Sequence, residues 1–171
     1  MKFTFAGAAA LLLVGCTPSL DWRETRPGGT DMTAMFPCQP QRHARPLVVA
    51  GATTRMEMLV CKAAGATFAV SFLDLTDPGT VTPALAELRA AARVNINGVE
   101  REIKPAKVNG MTANSQSARL SMTGRLPDGI DVQEQAAFFV KGLRVYQASV
   151  IGPALLPEMT ETFFSGLKLP S

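Results

Sequence analysis

His43 is the only histidine in the 171 residues, so a histidine-based hydrolase would have to be built around it. Its surroundings, Gln39-Pro40-Gln41-Arg42-His43-Ala44-Arg45, are strongly polar, and no G-x-S-x-G nucleophile motif accompanies it. It reads as a solvated loop histidine. Asp74 and Asp77 bracket a turn and could hold a hard cation, but calcium takes roughly six to eight oxygens and no EF-hand spacing is present. Capping of the following helix explains Asp77 more simply. Asp128, Asp131 and Glu134 gather at a turn and strand start with spacing that would serve an acid–base pair, yet a solvated acidic face is the plainer reading. No metal and no cofactor is expected. The basic residues point to binding instead. Arg89 and Arg93 lie four apart on one helix, and Arg101, Lys104 and Lys107 follow on the next strand. Beyond them the run Thr112 to Arg119 is unusually small and polar, which suits an exposed sheet face or the floor of a groove. Arg101, Lys104, Lys107, Ser115 and Arg119 are therefore the candidate binding surface, fitted to a phospholipid head group or an acidic partner, the alternative being an ordinary charged surface interleaved with Glu100 and Glu102.

The cysteines fix the setting. Lys2 and the apolar run Phe3 to Val14 have the build of a secretory signal peptide, too short to span a bilayer as a helix. It closes on Leu13-Val14-Gly15-Cys16, which resembles the lipobox of bacterial lipoproteins. That resemblance implies removal of residues 1–15 and acylation of Cys16, so that the bilayer becomes a partner through the lipid. Thr17, where the sorting rule of Gram-negative lipoproteins looks for aspartate, implies the outer membrane rather than the inner one, with the domain facing the periplasm. Cys38 and Cys61 then remain as an even pair in an oxidising compartment, spaced far from C-x-x-C, and a structural disulfide is the expected outcome. Two buried free thiols are the competing reading. A formal charge of +3, one unit of which leaves with Lys2, is too small to argue for nucleic acid.

These residues need elements to position them. Residues 16–30, with Pro18, Pro27, Gly28 and Gly29, read as a lipidated tether; Trp22 within it either docks on the domain or rests at the lipid interface, docking being preferred. Residues 31–171 read as one domain. A first strand is expected over Met32–Pro37, then strands over Pro46–Ala50 and Thr53–Lys62 joined at Gly51, and a buried strand over Ala66–Leu75. A helix follows around Pro83–Arg93, entered at Thr82 or from Asp77, with Val81, Leu85, Leu88 and Ala92 as its apolar stripe and Asn97-Gly98 as its stop. Strands Glu102–Val108 and Met111–Thr123 are expected to meet in a tight hairpin at Asn109-Gly110. Ile130–Val140 and Leu143–Ile151 follow across Lys141-Gly142, and a second helix runs from Leu155 or Pro157 to Gly166 behind Met159, Phe163, Phe164 and Leu167.

This order is α+β: a largely antiparallel sheet packed by two main helices. Phe36-Pro37, the strand Thr67–Phe72, Leu75-Thr76-Asp77-Pro78 before the first helix and Arg144–Gly152 before the last resemble small bacterial proteins with a PsbP-like fold. The resemblance covers roughly Asp31 to Leu169. It implies an α/β/α sandwich and a non-enzymatic accessory or binding role, and carries no binding residues with it. The expected function is a membrane-anchored periplasmic binding module of the cell envelope, with an unidentified envelope protein or ligand as partner. An envelope hydrolase with an unrecognised polar site is the alternative.

Overall fold

The computed structural model describes residues 20–170. The expected signal peptide, the Leu13–Cys16 motif, Thr17 and Cys16 itself lie outside the described residues. A two-stranded ribbon, β1 (Arg23–Thr25) with β2 (Ala34–Phe36), precedes the main sheet. The sheet comprises β3 (Gln41–Val49), β4 (Ala52–Ala63), β5 (Ala66–Asp74), β6 (Val99–Pro105), β7 (Ala118–Arg125), β8 (Asp131–Lys141) and β9 (Arg144–Gly152). Its seven strands run in the order β3-β4-β5-β9-β8-β7-β6, every pair antiparallel. Helix α1 (Val81–Asn95) lies between β5 and β6 in the chain, and α2 (Pro157–Ser165) follows β9.

Strand alternation divides the apolar side chains between two cores. On one face Leu85, Leu88, Ala92 and Ile96 from α1 and its end meet Leu120, Met122, Phe138 and Val145. On the other, Phe163 and Phe164 of α2 and Phe36 of β2 meet Phe68, Phe139 and Val150. Phe163 is the hub there, with ring centroids 5.4 Å from Phe68 and 5.6 Å from Phe36. Because both faces are covered, β5, β8 and β9 are buried along most of their length. The fold is thus mixed α+β, an antiparallel sheet with one helix on each face. Among the described residues no helix is long and apolar enough to cross a membrane.

Cys38, two residues after β2, is bonded to Cys61 in β4, with α-carbons 5.9 Å apart, a usual disulfide separation. The bond fastens the ribbon to the sheet. The stripe Val81, Leu85, Leu88 and Ala92 is buried as expected. Of the two possible starts for α1, the earlier one forms: the Asp77 carboxylate accepts from Gly79 N at 2.8 Å and caps a short 3-10 turn that leads into the helix, leaving Pro83 inside the first turn.

Three expectations are corrected. The polar segment read as a loop around His43 is the first half of β3, where His43 pairs with Met58 and is exposed. An edge strand wet on both faces needs no apolar alternation, so its ladder was invisible in composition. Part of the expected tether packs on the domain. Trp22 sits edge-on to Phe68 at 5.9 Å, and the turn after β1 is gripped by Arg42 on the Gly28 carbonyl and Arg144 on the Gly29 carbonyl. The preferred docking of Trp22 is therefore what the structure shows. Finally, Asn109-Gly110 does not join a tight hairpin. β6 stops at Pro105, β7 begins at Ala118, and Lys104 pairs with Arg119 across a long connection. The left-handed Gly110 (φ 80°) serves the chain end instead: Asn109 O accepts from Leu169 N, and a Cβ on Gly110 would stand 2.5 Å from the Leu169 carbonyl oxygen.

Candidate functional site

The β6–β7 pairing sets Lys104 directly opposite Arg119, two like charges on one face of the sheet. Unrelieved, such a pair is destabilising. Each cation has an acid: Lys104 Nζ lies 3.0 Å from Glu102, and Arg119 Nη2 lies 2.7 Å from Glu161 of α2. Arg119 is the better held. Its two terminal nitrogens reach both oxygens of Glu161, Nη2 also donates to Gln135 Oε1 at 2.6 Å, and the guanidinium lies 4.1 Å over the Phe164 ring. The Arg119 hydrogen bonds hold the Glu161 carboxyl below its usual range, and the charge of Lys104 adds to the effect.

Helix α2 brings its share by periodicity. Glu161, Phe164 and Ser165 stand at i, i+3 and i+4, so one helical face looks onto β6 and β7 while Phe163 turns inward. Between that face and the segment following β6 lies a groove of about 370 Å³. Ala106, Val108, Ala137, Phe164 and Leu167 give it an apolar floor, and Lys104, Lys107 and Arg119 give it a basic rim. A smaller recess of about 110 Å³ on the same side shares Lys104, Arg119 and Glu161. Lys107 is exposed and makes no ion pair among the described residues.

Of the five expected surface residues, the structure gathers Lys104, Lys107 and Arg119 and leaves two aside. Arg101 donates to Thr123 Oγ1 at 2.9 Å and does not line the groove. Ser115 lies in the connection between β6 and β7, which crosses the end of the sheet. Its neighbours Asn114 and Gln116 bond Thr82 and Arg89 of α1, on the opposite face. The polar run expected as a ligand-facing strand is thus largely this crossover, and only Ala118 and Arg119 belong to β7. Short polar side chains suit a loop tied by side-chain bonds as well as they suit a strand. Arg89 and Arg93 of α1 also lie away from the groove. Glu161 and Gln135 escaped the sequence reading; the signal for Glu161 was its helical spacing from Phe164.

The remaining candidates separate. Asp74 forms a two-pronged ion pair with Arg144, at 2.6 and 2.8 Å, while Asp77 caps the 3-10 turn that leads into α1. Asp128 accepts from Ile130 N at 3.2 Å, and Asp131 pairs with Arg125 at 2.7 Å. Glu134 departs most from expectation. Three residues from Asp131 on a strand, it points to the other face, among Met122, Val132 and Ile151, and is 5% exposed. Burial raises its carboxyl to about 7. It is a buried acid, not part of a solvated face. Among the described residues no group of His, Cys, Asp or Glu could hold a metal ion. The arrangement at the groove suits an anionic group beside an apolar surface. Compared with known proteins, the chain matches no family model and no curated protein.

Proposed function

We propose that this protein is a lipid-anchored envelope lipoprotein whose PsbP-like domain faces the periplasm and works as a non-catalytic binding or accessory module. Acylated Cys16 would hold it to the bilayer, and the groove between β6–β7 and α2 would receive the partner. The observation that carries the reading is that groove: an apolar floor under Lys104, Lys107 and Arg119. The exposure of His43 on β3 supports binding over hydrolysis, because a general base works within hydrogen-bond reach of a sheltered nucleophile.

Two measurements test it. Intact-mass analysis of membrane-extracted protein should find an acylated N-terminal Cys16; an unmodified chain retaining Met1 would remove the anchor. A photoreactive residue at Lys107 should capture a partner in native membranes, whereas one at Ser115, also exposed, should not. Equal capture from both positions, or from neither, would remove the groove as the binding site.

A further inference from the structure

We infer that the groove takes a single-chain anionic amphiphile, an alkyl chain ending in a carboxylate or phosphate. This rests on the groove being the binding site and adds the class of ligand. A volume of about 370 Å³ falls in the range of small-molecule sites, where an apolar lining supplies most of the affinity and a few polar groups fix orientation. Here the two parts are segregated. The side chains of Ala106, Val108 and Leu167 offer only carbon, while Lys104, Lys107 and Arg119, with the single carboxylate Glu161, supply the charged part of the lining. The carboxylates Glu102 and Glu161 already answer Lys104 and Arg119, which leaves Lys107 as the cation with unspent charge. An anionic head at Lys107 would also feel Lys104 and Arg119 and complete the balance. A cationic head would meet a net positive rim, since Glu102 and Glu161, the latter in the groove lining, are already paired with Lys104 and Arg119, and an anion without a chain would leave the floor wet.

The full chain in phosphatidylcholine vesicles should be photolabelled with diazirine-bearing dodecanoate and dodecyl phosphate, and the labelled residues mapped by mass spectrometry. Label is expected within residues 105–108 and 164–167, displaced by unlabelled dodecanoate but not by inorganic phosphate. The more efficient of the two probes identifies the head group. Lys107→Glu should cut labelling by about tenfold or more, as loss of a charge-assisted contact would. Ala106→Trp, filling the floor from a loop, should do the same. Unchanged thermal melts of both variants would show that the fold is intact. Equal labelling by a dodecyltrimethylammonium analogue, displacement by inorganic phosphate, or label insensitive to both substitutions would overturn the ligand class. If amphiphiles fail while the Lys107 crosslink still captures a protein, the groove keeps its role and the ligand is of another kind. If both fail, the binding reading falls as well.

Discussion

A carboxyl with 5% exposure and no hydrogen-bond partner among the described residues is the least expected residue of this domain. Glu134 faces the α1 side between Val132 and Ala136, where no charged partner among the described residues compensates it. In the folded state it keeps its proton to about pH 7, against an ordinary value of 4.5. Since the folded state binds more protons than the unfolded one between those values, stability falls as pH rises through that window. The full loss is roughly 3 kcal/mol. Glu57, Asp131 and Glu161 work the other way. Their hydrogen bonds to arginines lower the carboxyl values, so their contributions hold at neutral pH and vanish as pH falls through the folded values. Glu134→Gln keeps the shape and removes the charge. It should leave stability near pH 4.5 little changed and raise it at pH 8 by about 3 kcal/mol, flattening the melting temperature between those limits. A variant that melts like the parent at pH 8 would show Glu134 to be hydrated in the folded state.

Elements meet closely where β7 runs past the turn from α1 into β6. Arg125 N donates to Ile96 O at 2.6 Å, and a Cβ on the neighbouring Gly124 would collide with that same carbonyl. Gly124→Ala should therefore cost about 1 to 3 kcal/mol by overpacking against backbone, read as a lower midpoint in urea. An unchanged midpoint would mean that the turn can yield. Where sequence chemistry is local, the elements could be read in advance. The stripe of α1 announces its buried face, the turns at Gly51, Gly65 and Gly142 sit between paired strands, and the alternation around Tyr146 marks β9. Features decided by distant contacts were not legible. Asn109-Gly110 has hairpin chemistry, but the chain end occupies the place where the hairpin would close. Gln41–Arg45 is strand because β4 offers it a ladder, whatever its polarity. The groove was half legible: Lys104, Lys107 and Arg119 could be named, while Ser115 could not be assigned to a face before the crossover loop was known.

At the scale of the whole molecule, one covalent bond holds the ribbon against the core that α2 shares. Replacing Cys38 and Cys61 by serine should cost about 3 kcal/mol for a loop of this length, a fall of roughly 6 to 12 °C in melting temperature. Amide exchange should quicken first in Ala34–Phe36, with the α1 face keeping its protection; a uniform increase would mean that both faces unfold as one unit. Among the described residues the same sheet ends in two unpaired edges, β3 and β6, and an open edge is a template on which another copy could add a strand. Each edge is spoiled in its own way. β3 carries Arg42, Arg45 and a proline, Pro46, in mid-strand. β6 exposes Val99 and Ile103, but its ladder is broken by a register shift between Glu100 and Glu102 and it stops at Pro105. Copies crowded together would thus find no straight strand to extend, so the sheet resists growing from one molecule into the next.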